Sequence, residues 1–197
     1  GEIAISNTVR VAQASAIASL HNNINTLCFH SKYTPEHKQT VMHDVLKHFG
    51  KTSGSTTHAL FAGPIVQASL NISTRVLHTE VPTAENFLQR LGRVNRFSTF
   101  PSGKIILYDC INEQGKSNQV DTKTLGSMHQ AQRAKAWLDW CITEKLYKKF
   151  VLADMYIQYN LFHTSEAANA AYIADFKKII ASSAILFKNN IFDPITY

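Results

Sequence analysis

Apolar and polar positions along the first 110 residues predict strands and helices in turn. Ile3 and Ile5 alternate with polar neighbours in the run from Glu2 to Ser6, a short strand, and Asn7-Thr8 then punctuate it. Val9, Ala12, Ala16, Ile17 and Leu20 fall on one stripe at the 3.6-residue period, which predicts a core-facing helix over about residues 8 to 21. Thr26 to His30 reads as a buried strand. Thr34-Pro35 opens a second helix carrying Val41, Val45, Leu46 and Phe49, stopped by Gly50. Ala59 to Ala62 predicts a third strand, Ile65 to Leu70 a short turn of helix, and Arg75 to Thr79 a fourth strand. A helix from Thr83 to Arg96 and a fifth strand from Lys104 to Asp109 complete the series. This alternation implies an α/β domain with a parallel sheet and helices on its faces.

After Asp109 the pattern changes. Asn112 to Thr124 is polar and reads as a linker. Three amphipathic helices follow, marked by Ala134, Trp137, Leu138, Cys141 and Ile142, by Leu152, Met155, Tyr156 and Tyr159, and by Ile173, Phe176 and Ile180. The expected organisation is a domain over residues 1–110 and a linker with a helical C-terminal extension over 111–197. Lys145, Lys148 and Lys149 beside Tyr147 and Phe150 read as a solvated face of that extension, with contact to a nucleic-acid strand as the alternative.

Composition narrows the chemistry. In 197 residues there is a formal net charge of +6, which favours an acidic polymer or a phosphate ligand as partner. No apolar run reaches the length of a membrane span and no secretory signal is present, so the chain reads as soluble and cytoplasmic. Cys28, Cys110 and Cys141 stand apart without paired spacing, and the nine histidines form no metal-binding motif, so no metal site is expected. Gly50-Lys51-Thr52 looks like the end of a phosphate loop. The required earlier glycine is absent, because that position is Val45, and the segment leaves a helix instead of a strand.

The stretch from Gln89 to Arg96 carries the strongest chemical signal. On a helix running through it, Gln89, Gly92, Arg93 and Arg96 share one face. Two guanidiniums suit multidentate contact with phosphate oxygens, and glycine between them lets a ligand come close. The order Q-R-x-G-R-x-x-R resembles motif VI of superfamily 2 helicases, in which arginines reach across a domain cleft to nucleotide phosphates. Asn7 to Gln13 resembles the segment that opens the second motor domain of the CRISPR-associated helicase of type I systems, and His30-Ser31-Lys32-Tyr33 resembles that family's next motif. Ala62 to Ser73 is similar to its motif V, with Gly63, Pro64, Gln67 and Asn71 where the family carries threonine, glutamine, glutamate and aspartate.

The resemblance implies a second RecA-like domain: the C-terminal motor half of an ATP-dependent DNA helicase that unwinds target DNA in antiviral defence. Arg93 and Arg96 would be the catalytic arginines, with Gln89, Gly92 and Asn71 also facing the nucleotide. His30, Ser31, Lys32, Gly63 and Ser69 would contact nucleic acid, expected to be single-stranded DNA. ATP would be held, with Mg2+, mainly by a first RecA-like domain outside this chain, so the chain reads as a fragment that is inactive alone. A nuclease domain and a crRNA-guided surveillance complex are the further partners implied. The uncharged Gln67 and Asn71 leave open an alternative, a degenerate helicase-like module that binds nucleic acid or protein without catalysis. An interaction platform built on the C-terminal helices is a third reading.

Overall fold

A computed structural model of the chain describes residues 1–53, 56–67, 70–108 and 131–188, with side chains throughout except at 131 and 182–188. Ser69, Asp109, Cys110 and the polar stretch 112–124 lie outside the described residues. The chain divides into two compact units, Gly1–Gln119 and Val120–Tyr197.

In the first unit, strands β1 (Glu2–Ile5), β2 (Thr26–Phe29), β3 (Ala59–Ala62), β4 (Val76–Glu80) and β5 (Lys104–Tyr108) form one parallel sheet in the order β2-β3-β1-β4-β5. The register aligns Leu27, Leu60, Ile3, Leu77 and Ile105 in a row across the sheet. That row and Ile5 face Val45 and Phe49 of α2 (Pro35–Phe49), with Val66 and Ile72, and make the core. Burying apolar side chains on this scale is the main favourable term in folding.

Local signals set the helix ends. The Thr8 hydroxyl accepts from the Val11 amide at the start of α1 (Val9–His21). Thr34 does the same for α2 through the His37 amide, Pro35 occupies the first turn, and Gly50 closes the helix. A Cβ at Gly50 would stand 2.4 Å from the Leu46 carbonyl oxygen, so the chain needs glycine where it leaves this helix.

Three expectations need correction. Helix α1 buries Ala12, Ala16 and Ser19, while Ile17 and Leu20, read as core, are each 55% exposed. Small side chains let the helix lie close to the strands, which turns the larger ones outward. The turn expected over Ile65 to Leu70 is a 3-10 helix, Pro64–Gln67. Helix α3 spans Ala84–Leu91 and does not continue to Arg96. Val94 forms a parallel bridge with Thr74, and Asn95 turns to φ 47°, so pairing with the start of β4 replaces the helix.

The second unit contains α4 (Ala131–Thr143), α5 (Leu152–His163) and α6 (Glu166–Lys188). Trp137, Cys141, Met155 and Phe162 are buried, with Trp137 edge-on to Phe162 at 5.1 Å. Burial pushes the Cys141 thiol up to about 12, so it behaves as a small apolar side chain. Buried Asp175 of α6 accepts from the main-chain amides of Gln132 and Arg133, capping α4 from a neighbouring helix. Leu152, Tyr156, Ile173, Phe176 and Ile180, expected to face a core, are about half exposed. No helix among the described residues is long and apolar enough to cross a membrane.

Candidate functional site

Helix α3 enters the site after Thr83, with Glu85 in the first turn at the positive end of the helix dipole. It buries Ala84, Phe87 and Leu91, and Arg90 shares that inward side at 1% exposure. The Arg90 guanidinium donates to Gln67 Oε1, Thr79 Oγ1, the Glu80 carbonyl and Asn7 Oδ1. It thereby ties α3 to three other segments, at Asn7, at Gln67 and at the end of β4. Burial pushes this arginine down to about 10, opposed by the negative charge of Glu80, so it remains a cation at neutral pH. The spacing of the motif leaves Arg90 off the face shared by Gln89, Gly92, Arg93 and Arg96; the structure makes it the interior post of the site.

Arg93 and Arg96 follow in the loop beyond α3. Arg93 is 6% exposed and donates from Nε to the Val66 carbonyl at 3.2 Å and from Nη2 to the Gln67 carbonyl at 2.9 Å. Desolvation, and then the charge of Arg96, hold its guanidinium below the usual arginine value. Arg96 is exposed, and among the described residues its Nη1 reaches only the Gly92 carbonyl, at 3.5 Å. Gln89 is exposed on the last turn of α3 and Asn71 on the segment before β4. Because the helix ends at Leu91, these residues do not form one helical face; Gln89 lies on α3, and Arg93 and Arg96 on the loop.

The loop is stitched to the sheet. The Thr74 amide donates to the Arg93 carbonyl at 3.0 Å, the Asn95 amide to the Thr74 carbonyl at 2.8 Å, and the Arg96 amide to Ser73 Oγ at 2.9 Å. A Cβ at Gly92 would make ordinary contacts, at 3.5 and 3.6 Å, with the Gln89 and Leu88 carbonyl oxygens. Packing within the chain therefore does not require glycine there.

Two neighbouring guanidiniums, one spent on carbonyls and one open, are a donor set for phosphate oxygens. Among the described residues no group of three or more His, Cys, Asp or Glu is placed to hold a metal ion. The donors fit the anionic part of a nucleotide.

The residues assigned to nucleic acid divide. Ser31 and Lys32 are exposed after β2. His30 is 3% exposed, stacks on Tyr33 with ring centroids 4.0 Å apart, accepts from the Lys32 amide at Nδ1 and meets the Gln13 amide at Nε2. It braces the loop and does not present a free surface. Burial, chiefly, holds it below the ordinary histidine value. Gly63 is buried, with a Cβ position in ordinary contact with Val9 and His30. Sequence reasoning missed Arg90, Asn7, Thr79 and Glu80 as one cluster. The available signal was the spacing of Arg90 three residues after Phe87, on the side that α3 buries.

Residues 2–99 match the family model described as CRISPR-associated nuclease/helicase Cas3, C-terminal. A comparison with curated proteins returned no match. Among solved structures, T. fusca Cas3 aligns with a TM-score of 0.72 at 13% identity over 95% of this chain and 23% of that one. A chain in the CRISPR RNA-guided surveillance complex, pre-nicking, aligns with a TM-score of 0.68 at 12% identity over 95% of this chain and 24% of its own. The chain thus spans about a quarter of the length of these structures. At such identities their likeness is one of fold. Residues 2–99 thus have a RecA-like α/β fold and are similar to the C-terminal domain of Cas3.

Proposed function

We propose that this chain is the C-terminal motor half of an ATP-dependent DNA helicase that works in the cytoplasm in CRISPR type I interference. Residues 1–110 would be the second RecA-like domain and 111–197 a linker and helical extension. The observation that carries the reading is the pair Arg93 and Arg96, one guanidinium fixed and the other open. Hydrolysis of bound ATP transfers its terminal phosphoryl group to water. Arg96 would donate to the oxygens on which negative charge accumulates, and Arg93 would hold its neighbour's approach and add a second positive charge. Gln89, Gly92 and Asn71 would line the approach. Mg2+ would come with carboxylates of a first motor domain. Nucleic acid, as single-stranded DNA, would pass Ser31 and Lys32 with contacts to its backbone. A nuclease domain and a crRNA-guided complex would be the working partners.

The test is phosphate release by the intact protein with and without single-stranded DNA. Turnover that Arg96→Ala abolishes while the fold persists supports the motor. Turnover indifferent to Arg96→Ala overturns it. Absence of turnover in the unsubstituted protein, with DNA binding retained, selects the non-catalytic module, a reading that the uncharged Gln67 and Asn71 favour.

A further inference from the structure

A buried guanidinium is costly unless its charge is balanced as well as its hydrogen bonds. The acceptors on Arg90 at Gln67, Thr79, Asn7 and the Glu80 carbonyl are neutral. Position 67 holds an amide, so it supplies geometry and no charge. The carboxylate that acts on Arg90 is that of Glu80, the last residue of β4. A Glu80 carboxylate oxygen accepts from the Asn7 main-chain amide, and the Asn7 side-chain oxygen accepts from Arg90 Nη2 at 2.8 Å. The Asn7 amide nitrogen donates to the Val81 carbonyl at 3.0 Å, so Asn7 is fixed on both sides.

We infer that Glu80 is the counter-charge of Arg90, and that the pair positions the Val66–Gln67 turn on which Arg93 rests. The link is direct: Arg90 holds the Gln67 side chain, and Arg93 holds the carbonyls of Val66 and Gln67. A shift of this turn re-aims Arg93. Glu80 is thus a positioning residue that never meets the nucleotide. The electrostatics agree, since the charge of Glu80 strengthens proton binding by Arg90 against the effect of burial. The consequence is that an uncharged residue at 67 does not leave Arg90 without a counter-charge, because Glu80 supplies one from β4. The functional half of this inference rests on the reading of Arg93 and Arg96 as nucleotide-facing groups.

Moving the charge to position 67 tests it. In the intact protein, Glu80→Gln is expected to lower the kcat of ATP hydrolysis about tenfold with KM changed by less than about twofold, and to lower the urea midpoint. Adding Gln67→Glu to Glu80→Gln places a carboxylate on Arg90 Nε. It is expected to return kcat to within about threefold of the parent and to restore the midpoint. A double variant no better than Glu80→Gln in either measurement overturns the inference, as does a Glu80→Gln protein equal to its parent in both. Recovery of the midpoint without recovery of kcat, in an active protein, overturns the positioning role. If the parent releases no phosphate, the motor reading fails on its own, and the counter-charge is still decided by the two midpoints.

Discussion

Arg90 and Arg96 lie six residues apart and have opposite surroundings. The first sits on the inward side of α3, with four acceptors from three segments around its guanidinium. The second stands on the loop after α3, with a solvent-facing guanidinium and, among the described residues, a single distant carbonyl. One side chain is committed to its own protein and the other is available to a ligand. The difference comes from neighbours that the motif does not contain: Asn7, Gln67, Thr79 and Glu80 all lie outside the octamer. A motif can thus hold a buried and an exposed arginine side by side, and only their acceptors tell them apart.

Substitution separates the two most sharply at Arg96. Arg96→Ala in the intact protein is expected to reduce ATP turnover by roughly 10³ to 10⁵ while changing the unfolding free energy by no more than about 0.5 kcal/mol. Steady-state phosphate release and urea denaturation on the same preparation check both halves. At Arg90 the balance reverses, because Ala leaves the acceptors at Gln67, Thr79, Asn7 and the Glu80 carbonyl without their donor and removes a buried cation that acts on Glu80. A loss of about 3–5 kcal/mol is expected from denaturation. Equal stability losses at Arg90 and Arg96 would erase the contrast.

Arg93 lies between them. Removing its bonds to the Val66 and Gln67 carbonyls is expected to cost about 1–3 kcal/mol in addition to turnover, so Arg93→Ala is the less clean probe of chemistry. Gly92→Ala sharpens the comparison in the other direction. Its backbone, at φ −63°, suits alanine and its Cβ meets no obstacle within the chain. The substitution should raise stability by about 0.4–1 kcal/mol, and a fall in turnover with it would show that an external group needs the space.

The smallest effect is set by pH. His30 has a folded-state pKa below its unfolded value, so the unfolded chain binds its proton first as pH falls. Its contribution to stability is complete above the unfolded pKa, near 6.5, and is lost as pH drops toward the lower folded value. Denaturation midpoints at pH 7.5 and 5.5, with His30→Gln as the reference lacking this titration, measure it. A reference that loses as much stability as the parent would show that His30 contributes nothing to the change.

Much of the fold was legible along the chain. Alternation at Ile3 and Ile5, the Thr8 and Thr34 caps and the stop at Gly50 are local signals, and each reports on the few residues beside it. What escaped were decisions made by distant partners. Periodicity identified α1 but not the side on which small residues nest, so Ile17 and Leu20 were turned inward on paper. The same limit applies to Ile173, Phe176 and Ile180, whose helical spacing is real although their faces are half exposed. Helix α3 stops early because Thr74 pairs with Val94, a contact across twenty residues that helix propensity does not contain. Arg90 was misplaced because charge is ordinarily a sign of the surface, and its exceptional burial depends on Asn7, eighty-three positions away.

The pairing of the Arg93–Arg96 loop with Ser73 and Thr74 has a thermodynamic consequence. The backbone that carries Arg96 is tied down at Arg93, Asn95 and Arg96 by bonds formed during folding. Its conformational entropy has therefore been surrendered before any anion arrives. Only side-chain rotamers remain to be ordered on contact, on the order of 2 kcal/mol for an arginine, instead of about 1–2 kcal/mol for each residue of a loose loop in addition. An anion approaching Arg96 meets a surface whose ordering is already complete at the main chain, so more of the contact energy is left to appear as affinity or as rate.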